Sequence, residues 1–129
     1  TVTDLDSARS FYGELLGCQE GRSTDTWVDF NFFGNQLSLH LGEKVKRSKT
    51  TSKVDDISVP IPHFGCILDW DSFHDLADKL TSAEILFIIE PTTRFEGMPG
   101  EQATMFFEDP FQNALEFKAY QNPLEVFSK

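Results

Sequence analysis

Apolar and polar residues alternate with a period of two along three short stretches of this chain, which predicts β-strands there. In residues 36–41, Leu37, Leu39 and Leu41 share one face and His40 lies on the other. In residues 62–68, His63, Gly65 and Ile67 point the same way. In residues 113–119, Ala114, Glu116 and Lys118 share a face, opposite Leu115, Phe117 and Ala119. Two other stretches carry helical spacing. Residues 4–17 set Leu5, Phe11 and Leu15 toward a core, with Asp6 or Ser7 able to cap the start and Gly17 suited to the C-terminal turn. Residues 69–80 repeat that logic with Trp70, Phe73, Leu76, Ala77 and Leu80. Further strands are expected at 26–31, 85–89 and 104–108, with turns at 33–35 and 109–112.

These elements form an internal repeat of a helix followed by strands, and the second copy also has a strand before its helix. Aligning Asp4 with Asp69 places the position matching His63 about three residues ahead of Thr1. The expectation is a shortened chain that begins inside the first strand of its first copy, with the ligand-bearing part of that strand lying upstream. Residues 1–42 form the first module, 43–60 a linker, 61–120 the second module and 121–129 a tail, all within one domain.

Composition narrows the function classes. A chain of 129 residues with 13 phenylalanines can bury a substantial core. No apolar run is long enough to cross a membrane, and the residues present hold no secretory signal, a reading confined to them because the expected chain begins further upstream. Eleven basic residues against 21 acidic ones give a net charge of −10, which argues against nucleic-acid and acidic-membrane partners. Lys44, Lys46, Arg47, Lys49 and Lys53 concentrate in the linker, which reads as a solvated loop. Cys18 and Cys66 lack zinc-site spacing and read as reduced thiols of a cytoplasmic protein.

Two imidazoles and a carboxylate, His40, His63 and Glu116, each interrupt an apolar strand. A buried unpaired Glu116 would be costly, and together the three side chains suggest a metal site. A hydrogen-bonded sheet histidine is the competing reading of His63. Arg94 and Glu101 flank the loop at 96–100, where they either anchor a substrate carboxylate or pair with each other and pin the loop; the pairing is the preferred reading. Phe32, Phe33, Phe95, Phe106 and Phe111 are assigned mostly to the core, with one or two able to line an apolar pocket for a ring, and Trp27 and Trp70 are assigned to the core.

The runs Val2-Thr3-Asp4-Leu5-Asp6-Ser7-Ala8-Arg9-Ser10-Phe11-Tyr12 and Leu15-Leu16-Gly17 resemble the vicinal oxygen chelate superfamily, as do residues 36–40, Pro62-His63-Phe64-Gly65, and Glu108-Asp109-Pro110 with Asn113-Ala114-Leu115-Glu116-Phe117. That superfamily includes glyoxalase I, extradiol dioxygenases and the bleomycin and fosfomycin resistance proteins. Arg94-Phe95 and residues 99–107 resemble small bacterial proteins described as extradiol-type dioxygenases. The resemblance covers essentially the whole chain.

It implies an α+β fold of two βαβββ modules, whose mixed sheets curl into a cup with the helices outside. It also implies a divalent metal, Fe(II) before Ni, Zn or Mn, held by His63, Glu116 and an upstream histidine. His40 would be a further ligand or an acid–base group. The implied function is an oxidoreductase, a dioxygenase-like enzyme cleaving a small vicinal-diol aromatic. A glyoxalase-type isomerase or lyase and a metal-free binding or resistance protein are the alternatives, and a homodimer is expected. The usual Asp-Pro-x-Gly-Asn turn is here Asp109-Pro110-Phe111-Gln112-Asn113; Gln112 stands where a glycine often adopts positive φ, so the turn is expected to be either strained or differently shaped.

Overall fold

The computed structural model describes residues 1–46 and 50–128. By their contacts these residues fall into two units. Unit 1 holds the described residues from Thr1 through the first helix and three strands, together with Asp109–Asn113. Unit 2 holds the following residues to Glu108, and Ala114 onward. The turn 109–113, expected inside the second module, therefore groups with the first unit.

In unit 1, helix α1 begins at Leu5–Ala8 and continues as a wider π-helical segment, Arg9–Leu15. The Leu16 amide donates to the Phe11 carbonyl five residues back, at 2.9 Å. Asp4 caps this helix by accepting from the Ser7 amide at 2.7 Å, so the cap lies two residues before the earlier of the expected positions. Strands β1 (Gln19–Ser23), β2 (Trp27–Phe32) and β3 (Asn35–His40) form an antiparallel sheet in that order. Val2 bridges Leu41 in parallel at its edge. Tyr12 and Phe30 are buried and stack at 6.0 Å.

Unit 2 opens with a hairpin, β4 (Thr51–Val54) and β5 (Ile57–Pro60). This corrects the reading of 43–60 as a plain linker. Asp55 and Asp56, at φ 47° and 67°, make the left-handed turn that two-residue hairpins require, and Val59 is buried against Ile89, Phe106 and Ala114. The preceding basic residues Arg47 and Lys49 lie outside the described residues. Strand β6 (Phe64–Leu68) leads to α2 (Trp70–Ser82), capped by Asp69 through the Ser72 amide at 2.9 Å. Asp4 and Asp69 thus do the same work in the two units, each capping a serine three residues on.

Strands β7 (Phe87–Arg94), β8 (Gln102–Glu108) and β9 (Ala114–Tyr120) complete a sheet of order β6-β9-β8-β7. Strand β6 pairs β9 in parallel; the other pairs are antiparallel. The α2 face of Phe73, Leu76, Ala77 and Leu80 is buried, and α2 packs on β8 and β9. Helix, three strands and a parallel edge recur in both units, which is the expected α+β repeat. The expected core aromatics divide: Phe32, Phe106 and Phe111 are buried, Trp27 and Trp70 half-buried, and Phe33 and Phe95 exposed.

Candidate functional site

His63 lies just before β6, beside the cis Ile61–Pro62 bond. Its Nδ1 is 2.8 Å from the Pro60 carbonyl oxygen, and its ring meets the buried Phe106 ring edge-on at 4.7 Å. A carbonyl oxygen only accepts, so Nδ1 is the donor, the tautomer in which a neutral ring carries its lone pair on Nε2. The parallel register sets Gly65 beside Glu116, two residues after His63. His63 Nε2 and Glu116 Oε2 are 3.6 Å apart, beyond ordinary hydrogen-bond length. The other carboxylate oxygen, Oε1, is 3.3 Å from Lys118 Nζ and 3.5 Å from the Thr104 hydroxyl.

The fit to a divalent metal rests on this donor chemistry. An imidazole lone pair and a carboxylate oxygen at 3.6 Å can both reach one cation whose bonds to N and O are each about 2.0–2.2 Å. The Pro60 carbonyl supplies the outer hydrogen bond that fixes the tautomer of a ligating histidine. Among the described residues no group of three or more His, Cys, Asp or Glu side chains stands together as a metal site. His63 and Glu116 are the two of the three expected ligands that lie in unit 2, and there they stand together.

His40, the third expected ligand, sits at the end of β3 in unit 1, exposed, with its ring 6.4 Å from Trp27. Its carbonyl accepts from the Val2 amide at 2.9 Å. One β-strand away is Asp29, a polar residue the sequence reading missed. It is buried and accepts from the Ser38 hydroxyl at 2.5 Å and Gln36 Nε2 at 2.8 Å, with Arg22 at 3.7 Å. The Ser38 hydrogen bond, helped by Gln36, Arg22 and His40, holds its carboxyl below the usual carboxylate range against the cost of burial. The alternation Trp27-Val28-Asp29-Phe30 carried that signal, since Asp29 shares a face with Trp27 and not with the core residues.

Arg94 and Glu101 do not pair with each other as expected. Arg94 grips Asp55 at the tip of the β4–β5 turn with two contacts, Nε to Oδ2 at 2.6 Å and Nη2 to Oδ1 at 2.7 Å, and covers the Phe95 ring at 5.2 Å. Glu101 accepts from the Gly97 amide at 2.9 Å and so pins the loop by itself. The bidentate fit of guanidinium to carboxylate explains why Asp55 takes Arg94.

The turn 109–113 is organised by Asp109, which is buried. Its Oδ2 accepts from the Tyr12 hydroxyl and from Asn113 Nδ2, both at 2.7 Å, and its Oδ1 from the Phe111 and Asn113 amides, both at 2.8 Å. Burial, and next the Asp109 charge, push the Tyr12 phenol far above its ordinary range. Gln112 has φ 70°, the left-handed backbone that the glycine of the usual turn often adopts.

A family model described as the Glyoxalase/Bleomycin resistance protein/Dioxygenase superfamily matches residues 1–117. The crystal structure of a glyoxalase/bleomycin resistance protein/dioxygenase from Alicyclobacillus acidocaldarius is 31% identical, with a TM-score of 0.75 over 98% of this chain and 90% of that one. A glyoxalase/dioxygenase from Nostoc punctiforme, at 19% identity, gives a TM-score of 0.69 over 94% and 86% of the two chains. The fosfomycin resistance protein FosX from Listeria monocytogenes, at 14% identity, gives 0.66 over 96% and 89%. These last two likenesses concern the fold alone. Among the described residues no helix is long and apolar enough to cross a membrane.

Proposed function

The chain belongs to the Glyoxalase/Bleomycin resistance protein/Dioxygenase superfamily, and from that premise we propose a metal-dependent, dioxygenase-type enzyme for a small molecule that chelates through two adjacent oxygens, as a catechol-like diol does. The observation that carries this reading is His63, with Nδ1 tied to the Pro60 carbonyl and Nε2 presented 3.6 Å from Glu116 Oε2. Fe(II) is the favoured metal, with Ni, Zn and Mn as alternatives, and when bound it would polarise the substrate oxygens and lower their pKa.

In this reading His63 and Glu116 hold the metal. Phe106 backs the imidazole edge-on and keeps water from that side of the ring. His40 lies in unit 1, on the strand face opposite Leu37 and Leu39, and is carried as a further ligand or an acid–base group on the family resemblance alone. Arg94 and Glu101 serve to order the hairpin and the 96–100 loop, and Arg94 is the candidate for a substrate carboxylate. Cys18 and Cys66 are both thiols, in keeping with a cytoplasmic protein, and the superfamily membership supports a homodimer.

The test is oxygen uptake with a panel of catecholic diols after anaerobic loading with Fe(II). Uptake that disappears in His63→Ala and Glu116→Ala is the expected result; inactivity across the panel counts against the reading. One observation favours a second reading, a metal-free binding protein: Lys118 already neutralises Glu116 at 3.3 Å. Under that reading His63→Ala leaves ligand binding intact.

A further inference from the structure

Lys118 stands on the same face of β9 as Glu116, one pleat further along. Its Nζ is 3.3 Å from Glu116 Oε1, while Oε2 is the oxygen turned to His63. Its cross-strand partner is the buried Thr104, whose hydroxyl is 3.5 Å from the same Oε1, and its parallel neighbour is Ile67. The Lys118 side chain, at 32% exposure, is held against the sheet face and not fully extended into water. Glu116 therefore has a positive partner already, supplied by its own strand.

We propose that Lys118 is a built-in counter-cation, a positioning residue that keeps Glu116 ordered in the metal-free protein and weakens divalent-metal binding at the His63–Glu116 pair. This rests on the metal reading given above. A divalent cation shared by His63 and Glu116 adds two positive charges beside an ammonium already on the carboxylate. Like charges at such range repel by amounts that shift affinity by an order of magnitude or more in a partly buried site. Metal entry then requires Lys118 to give up Glu116, and the freed ammonium becomes available to a negative group on the incoming ligand. The same ion pair thus stabilises the empty site and lowers the affinity of the filled one.

The test titrates Mn(II) alone into the full chain, read by the electron paramagnetic resonance of free Mn(II), with thermal unfolding followed in parallel. The variants are Lys118→Met, which keeps the stem and removes the charge, and Lys118→Arg, which keeps the charge. Lys118→Met should bind Mn(II) about tenfold more tightly or better, and Lys118→Arg about as wild type. Metal-free Lys118→Met should melt below wild type yet gain more on adding Mn(II), a crossing that a purely structural lysine would not produce. Added salt should narrow the gap in affinity, because screening weakens the repulsion.

Equal or weaker binding in Lys118→Met, while wild type binds and His63→Ala does not, overturns the role of Lys118 and leaves the metal reading standing. Absence of binding in wild type and in every variant overturns both. Should Lys118→Met fail to fold, Lys118→Gln is measured in its place, with the same two outcomes.

Discussion

Gly65 lies so close to Glu116 on the neighbouring strand that a β-carbon added to it would stand 1.6 Å from the Glu116 carbonyl oxygen and 2.6 Å from its carbonyl carbon. Both are backbone atoms, so no side chain can swing aside to make room. The glycine two residues beyond His63 is what lets β6 and β9 approach, and that approach sets the 3.6 Å distance between His63 and Glu116.

Gly65→Ala should therefore destabilise the chain by at least about 1–3 kcal/mol, the cost of forcing extra volume into a closed contact. It should also abolish metal binding under conditions where the variant is still folded. Urea unfolding combined with Mn(II) titration separates the two effects. Unchanged stability would mean that the strands part at little cost.

Gln112 occupies left-handed backbone at φ 70° in the 109–113 turn. Its amide donates to the Asp109 carbonyl at 3.1 Å. Gln112→Gly removes the Cβ penalty of about 1–2 kcal/mol, and part of that gain is offset by glycine's greater freedom in the unfolded chain. The expected net gain is about 0.5–1 kcal/mol, seen as a higher urea midpoint with unchanged slope.

The Tyr12–Asp109 contact gives a pH dependence with a definite sign. The phenol is raised in the folded chain by burial first and the Asp109 charge second. A raised value means stability that is fully present below the unfolded tyrosine value of about 10 and is lost as pH rises above it. Tyr12→Phe should cost about 1–2 kcal/mol at neutral pH, because Asp109 loses one of its donors. The gap between the two proteins should shrink above about pH 10, where only the wild type pays to keep its phenol protonated. Urea midpoints across that range provide the check.

Arg94 and Asp55 tie the tip of the β4–β5 hairpin to the end of β7. Arg94→Met should cost at most about 1 kcal/mol overall, since Asp55 is largely exposed. Its clearer sign is local: amide hydrogen exchange across residues 51–60 should speed up while that of β8 and β9 stays slow. Uniform exchange throughout unit 2 would show that the ion pair is not what orders the hairpin.

The repeat, the second helix and the β9 alternation were readable from residue spacing because each has a periodic apolar face. Strand β1 was missed because all five of its residues are exposed and it offers no such face. The β4–β5 hairpin was missed for a related reason. Only Val59 is buried, and its turn uses Asp55-Asp56 where a glycine or asparagine would have flagged the left-handed geometry. His63 and Glu116 were legible as a pair by their breaks in apolar strands. Arg94–Asp55 and Tyr12–Asp109 join residues far apart in the chain, and no local pattern announces them. Gln112 was legible as standing at a glycine position, which left open a strained or a reshaped turn; its φ of 70° is the strained one.

The grouping of Asp109–Asn113 with the first unit bears on how this protein could be divided. Severing the chain between its two sequence halves would not release two self-sufficient pieces. The amino-terminal piece would carry a buried Tyr12 hydroxyl with its acceptor left on the other fragment. Any split version, circular permutation or exchange of halves would have to return that five-residue turn to the piece that lost it. The boundary written in the sequence repeat and the boundary along which the molecule can be taken apart are different lines.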